Sequence, residues 1–141
     1  MPYRNLMAVY DGTPQADELL DMMCSIARPE RAQFTILYVR LVPLAEPLPV
    51  YQAGVDPQMD AFVAQAEKLA EKRGVKAASA VRYGRTLGGA VLAEARVCGV
   101  DLLAMLAPDA EALQTQGGLG TDIENVLRKA TCAVIICRPK E

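Results

Sequence analysis

Five short apolar runs alternate along the chain with longer stretches in which apolar residues recur every three or four positions. The first run, Leu6-Met7-Ala8-Val9-Tyr10, and the second, Phe34-Thr35-Ile36-Leu37-Tyr38-Val39, read as strands. Between them Ala16, Leu19, Leu20, Met23 and Ala27 share one helical face. Asp11-Gly12-Thr13-Pro14 opens that helix: Thr13 can cap it, and Pro14 suits the first helical position, where a missing N–H costs nothing. Pro29 predicts its end, because the residue before a proline is pushed out of the helical region. Residues 41–57 hold Pro43, Pro47, Pro49 and Pro57, which forbid a continuous helix and argue against a central strand.

Met59, Phe62, Val63, Ala66, Leu69 and Ala70 mark a second helix, closed by Gly74. Residues 75–81 form a more alanine-rich third strand, and Tyr83-Gly84-Arg85-Thr86 the next turn. A third helix runs from Leu87 to Cys98, with Leu87, Ala90, Val91, Ala95 and Cys98 inward and Gly99 as its stop. Leu102-Leu103-Ala104-Met105-Leu106 is the fourth strand. After a loop from Ala107 to Leu119, the glycine-rich turn Gly117-Gly118-Leu119-Gly120 leads into a short helix. Thr121 and Glu124 predict a capping box there, and Ile123, Val126, Leu127 and Ala130 the inward face. Ala133-Val134-Ile135-Ile136-Cys137 closes the chain as the fifth strand.

Strands that are apolar throughout, alternating with amphipathic helices, predict an α/β fold: a parallel sheet covered by helices on both faces. At 141 residues one domain spanning 1–141 is expected.

Composition then narrows the chemistry. The net charge is −2 with no basic cluster, so a nucleic-acid partner is not expected. Met1-Pro2-Tyr3-Arg4-Asn5 leads into only five apolar residues, unlike a signal peptide, and no apolar run reaches the length of a membrane span. A cytoplasmic location with no membrane partner is the expectation. Histidine is absent, which removes Ser-His-Asp and Cys-His catalysis and the commonest metal ligand. Cys24, Cys98, Cys132 and Cys137 lie in or beside apolar segments without CxxC spacing, and read as small buried hydrophobes rather than metal ligands.

Ligands of open α/β sheets bind beyond the carboxyl ends of the strands. That rim holds Asp11, Val39-Arg40, Gly84-Arg85 and the loop 107–121. Gly118, Gly120 and Thr121 stand before a helix N-terminus, whose unpaired N–H groups suit an anion. Asp122 and Glu124 compete for the same positive end. Asp11 either contacts a ligand or stabilises its own turn, and Arg85 either pairs with a phosphate or is solvated. Neither G-x-G-x-x-G after the first strand nor G-x-x-x-x-G-K-[ST] is present.

Over nearly its whole length the sequence resembles the universal stress protein family. The residues that carry the resemblance are residues 6–13, Leu37-Tyr38-Val39, residues 101–105, Gly120-Thr121 and residues 126–136. The resemblance implies sheet order 3-2-1-4-5 and a homodimer made through the last strand, residues 133–137. Nucleotide-binding members are similar to one another in a G-x2-G-x9-G-[ST] loop, an Asp after the first strand and a Val after the second. Asp11, Val39, Gly120 and Thr121 match, but Ala107 and Ala110 stand where the first two glycines belong. Alanine there keeps the backbone from wrapping a polyphosphate, and Asp109 and Glu111 would repel it. The first reading is therefore a non-catalytic, stress-response homodimer with a degenerate nucleotide site, no certain cofactor and at most weak ATP or AMP binding. The alternative is an AMP- or ATP-binding switch using Asp11, Val39 and residues 117–121. A slow ATPase is the third.

Overall fold

The computed structural model describes residues 3–108 and 119–138. The described elements are β1 (Asn5–Tyr10), α1 (Pro14–Glu30), β2 (Gln33–Leu41), α2 (Pro57–Lys72), β3 (Ala77–Gly84), α3 (Leu87–Cys98), β4 (Leu102–Leu106), α4 (Thr121–Lys129) and β5 (Ala133–Cys137). The five strands form one parallel sheet in the order β3-β2-β1-β4-β5.

The continuous apolar runs have a direct cause: alternate residues face two separate cores. Leu6, Ala8 and Tyr10 of β1, with Phe34, Ile36 and Tyr38 of β2, pack under α1 and α2. Met7, Leu37, Leu103 and Met105 point the other way, against Val91 of α3 and Ile123 and Val126 of α4. The change of face falls between β1 and β4, at the centre of the sheet.

Local signals set most boundaries. Thr13 caps α1 by accepting the Ala16 N–H at 3.1 Å, with Pro14 next. Gly74 (φ 77°) and Gly99 (φ 64°) end α2 and α3; Val75 N–H donates to Ala70 and Val100 N–H to Ala95, each at 3.0 Å. The amino end of the sheet is clamped: the Asp101 carboxylate accepts the Arg4 and Asn5 N–H groups, each at 3.0 Å. Asn5 in turn donates through Nδ2 to the Cys98 carbonyl at 2.7 Å, closing the last turn of α3.

Four expectations are corrected. α1 continues through Pro29 to Glu30. The fixed φ of proline is itself helical, and Arg31 in the left-handed region (φ 50°) stops the helix instead, with Ala32 N–H donating to Ala27 at 3.0 Å. β3 begins at Ala77 and runs on through Tyr83 and Gly84, because β2 extends to Leu41 and pairs with it residue for residue. The capping box of α4 does not form. Gly120 (φ 91°) is the cap, Thr121 is already helical, and no side chain caps the turn. Leu127 is 47% exposed. Ile123 and Val126 alone make the narrow inward stripe of this nine-residue helix, and Leu127 falls on its flank.

β5 is the outer edge of the sheet, and all five of its residues are half-buried. Among the described residues no helix is long and apolar enough to cross a membrane.

Candidate functional site

The carboxyl rim of the sheet gathers the candidates that lie within the described residues. Gly118 lies outside them, as do Gly117, Asp109, Ala110 and Glu111. Asp11 directly follows β1 and is exposed. Its Oδ1 accepts the Thr13 N–H at 3.1 Å and the Thr13 hydroxyl at 2.6 Å. The carboxylate thus builds the turn that starts α1, and Thr13 passes the order on to Ala16. Gly12 (φ 80°) is required here twice over: its backbone is left-handed, and a Cβ would collide with the Phe62 ring of α2. Val39, near the carboxyl end of β2, is half-buried on the α3–α4 side and sits beside Arg82 of β3. Gly120 and the exposed Thr121 open α4. Topology therefore places Asp11, Val39, Gly120 and Thr121 at the same end of the sheet, around the β1/β4 change of face.

The remaining charges on this rim are engaged by the protein itself. Arg85 is exposed, as the solvated reading expects, but its guanidinium is engaged by the loop after β2. Its Nη1 donates to the carbonyls of Pro43 (2.5 Å), Glu46 (2.7 Å) and Val42 (3.4 Å). Arg40 holds the other end of the same loop. Its Nη2 donates to Asp56 Oδ1 at 3.2 Å and to Gln58 at 2.5 Å, while Nε lies 3.0 Å from Asp56 Oδ2 as an ion contact. Tyr83 donates its hydroxyl to Asp56 Oδ2 at 2.9 Å. Burial works against the charged form of Asp56, but the Tyr83 hydroxyl, the Met59 N–H and Arg40 outweigh it and hold its carboxyl below the usual range. Burial and the same Asp56 contact push Tyr83 up. Tyr51 donates to Asp60, and that bond raises its phenol to about 12.

The two helix starts on the far face are joined through one side chain. Asp122, in the first turn of α4, accepts the Gly88 N–H of α3 at 2.9 Å. A Cβ on Gly88 would lie 2.9 Å from the Asp122 carbonyl oxygen, so only glycine lets the two helices approach this closely. Asp122 therefore does compete at a positive helix end, as its position suggests, but the end is that of α3.

Sequence reasoning did not find the Arg40–Asp56–Tyr83 cluster, whose members are remote in the chain. Nor did it find Glu94, 5% exposed on the inner side of α3, where both carboxylate oxygens take Arg82 donors at 2.8 and 3.1 Å. An Arg on β3 and a Glu on the following helix is the signal, too common to be read without the fold. Among the described residues no group of three or more acidic, Cys or His side chains is placed to hold a metal ion.

The architecture has known counterparts. A universal stress protein solved in complex with cAMP superposes with TM-score 0.77 at 19% identity, covering 99% of this chain and 100% of that one. A universal stress protein from Archaeoglobus fulgidus in complex with dAMP matches with TM-score 0.65 at 14% identity, covering 96% and 98%. A family member from Burkholderia pseudomallei matches with TM-score 0.65 at 23% identity, covering 97% of each chain. At these identities the likeness establishes the fold. No curated protein matches the sequence. The family model of the universal stress proteins matches residues 2–138, and the chain belongs to the universal stress protein family.

Proposed function

We propose that this chain is a single-domain, cytoplasmic, regulatory universal stress protein that works as a homodimer without catalysis of its own, on a nucleotide fold whose phosphate cradle is degenerate. The observation that carries the reading is that the charges of the rim serve the protein itself. Arg85 and Arg40 hold the loop after β2, Asp122 fills the start of α3, and Asp11 shapes its own turn. Ala107, where nucleotide-binding relatives resemble one another in a glycine, adds to this. A triphosphate approaching this rim meets no free cation among the described residues named here. The homodimer rests on β5, an edge strand without charge or proline, which a two-fold partner would cover.

Thermal unfolding with and without millimolar ATP, AMP and Mg²⁺, followed by analysis of nucleotide released on denaturation, tests this. A specific ligand at about a hundred times its Kd adds about 2.7 kcal/mol and raises Tm by several degrees. The expected result is no shift with ATP and no co-purified nucleotide. Stoichiometric bound ATP overturns it.

A second reading, an AMP- or ATP-binding switch, is favoured by the joint placement of Asp11, Val39, Gly120 and Thr121 on one rim. Relatives solved with cAMP and dAMP hold ligands with a single phosphate, which asks less of a cradle. On this reading Asp11→Ala and Gly120→Val each weaken AMP binding. Magnesium-dependent ATP turnover lost in Asp11→Asn would instead support a slow ATPase.

A further inference from the structure

Charge is not spread evenly over the molecule. The strands are all parallel and each helix runs back against them, so the amino ends of the strands and the carboxyl ends of α1, α2, α3 and α4 share one end. α1 and α2 bring Arg28 and Lys72 there in their last turns, with Arg31 and Arg73 just beyond. α3 and α4 bring Arg96, Arg128 and Lys129. Arg4 stands before β1 and Lys76 before β3. All nine side chains are exposed. The helix dipole accounts for a cation in a last turn, but not for Arg4 or Lys76.

Contacts tie these positions into one surface. A Cβ on Gly74, just past α2, would lie 3.3 Å from the Arg28 Nε of α1. Arg96 and Lys129 line the same hollow between α3 and the end of α4. Between the two helix layers, the Arg4 carbonyl accepts the Gln33 N–H at 2.9 Å, and the Arg4 N–H donates to Asp101 at 3.0 Å. Carboxylates are fewer at this end: Glu30, Glu71 and Asp101, the last of which serves two main-chain N–H groups. Among the described residues only Arg73 of the nine is in an ion pair, with Asp21.

The opposite end is acidic. Asp17, Asp60, Asp122 and Glu124 occupy first turns there, while Arg40 and Arg85 are engaged by the loop after β2. The net charge of −2 therefore conceals a strong dipole. The sequence shows no basic cluster because the cations are spaced along the whole chain, and only the fold collects them.

Three apolar side chains select the partner. Tyr3, Val97 and Leu127 are exposed, Val97 by 78%, and each adjoins one of these cations: Arg4, Arg96 and Arg128. Cations interleaved with aromatic and aliphatic tips suit the headgroup layer of an anionic bilayer, where the charges meet phosphates and the apolar tips pass between them. A nucleic-acid backbone offers such tips nothing, and a rod meets a surface along one strip. Here the charges extend over both helix layers and the sheet between them.

We propose that the amino end of the sheet is a docking face for anionic lipid, which holds the domain reversibly against a negatively charged membrane surface with the carboxyl rim turned away from it. The contact is peripheral and independent of whether the rim binds a nucleotide.

Flotation at low salt tests this, with vesicles of two parts phosphatidylcholine to one of phosphatidylglycerol against phosphatidylcholine alone. The chain is expected to float with the mixed vesicles only, and to come off in about 1 M salt, where the Debye length falls to about 3 Å. Lys72→Gln/Arg96→Gln/Lys129→Gln takes one charge from each of three helices and should lower vesicle affinity on the order of a hundredfold, about fivefold for each charge. Arg138→Gln, past the carboxyl end of β5, should leave it unchanged. Val97→Ser removes no charge and should still weaken vesicle binding. Thermal unfolding shows that each variant is folded. No flotation with the mixed vesicles, or flotation that the triple variant leaves intact, overturns the proposal. Duplex DNA or poly-glutamate that strips the chain from vesicles, with Val97→Ser binding as wild type, shows a face for any polyanion and overturns the assignment to lipid.

Discussion

Replacing Gly88 with alanine sets two physical effects against each other. In a helix, alanine is favoured over glycine by about 1 kcal/mol, so propensity alone predicts a more stable protein. The structure predicts the reverse. The new Cβ would lie 2.9 Å from the Asp122 carbonyl oxygen, 3.3 Å from its Cα and 3.3 Å from its Oδ1. Two of these three atoms are backbone, so no rotamer change relieves the contact, and α3 and α4 must move apart. Overpacking of this kind costs about 1–3 kcal/mol and here also stretches the 2.9 Å hydrogen bond from Gly88 to Asp122. With the propensity gain subtracted and the weakened hydrogen bond added, a net loss of up to about 2 kcal/mol is expected, which for a chain of this size lowers Tm by up to about 6 °C. Denaturant and thermal unfolding of the purified variant measure it. Asp122→Ala in the same background does not rescue, because the nearest atom belongs to the main chain. A rise in Tm for Gly88→Ala would refute the reasoning and show that α3 and α4 do not meet this closely.

Glu94→Gln keeps the shape but removes the charge that Arg82 meets; since Arg82 is half exposed, the expected loss is about 1–2 kcal/mol by urea titration, below the cost of breaking a fully buried pair. Thr13→Val removes the acceptor for the Ala16 N–H and should cost about 1 kcal/mol in the same assay. The Asp56 carboxyl is held below its ordinary range in the fold, so its contribution is complete above the unfolded carboxyl pKa and is lost as pH falls through the lower folded value. Wild-type stability should therefore drop on acidification below about pH 4, the reference carboxyl value, and Asp56→Asn should show a shallower drop there, followed by Tm against pH.

The fold was legible where short-range chemistry decides the outcome. The bounds of α3 and β4 fall where the sequence puts them, because Thr86 caps α3 by accepting the Gly89 N–H, Gly99 ends it, and Leu102 to Leu106 has no competing pattern. What could not be read depends on partners far along the chain. Leu127 follows Ile123 by four residues, close enough in helical phase to look buried, and only the width of the α4 contact shows that it is not. The role of Arg85 is set by carbonyls about forty residues earlier in the chain, which no local pattern announces. Gly120 displaces Thr121 as the cap of α4 because a left-handed residue there turns the chain into the helix one position sooner. At the site, Asp11 was placed correctly at the end of β1, and the geometry adds that its first duty is to the Thr13 turn.

The clamp between Asn5 and Asp101 bears on how the protein is made. Its two halves are separated in sequence by three of the five strands, and β4, which Asp101 introduces, is the neighbour of β1. During synthesis β1, α1, β2, α2 and β3 leave the ribosome first, and the core under α1 and α2 is then largely complete. Until β4 emerges, however, the strand at the centre of the finished sheet is an open border. Leu6, Met7 and Ala8 present unpaired main chain on one side, and the face that α3 and α4 later cover is bare. A chain that folds as it emerges would pass through a stage at which its central strand is an adhesive edge, and that stage ends with the arrival of β4.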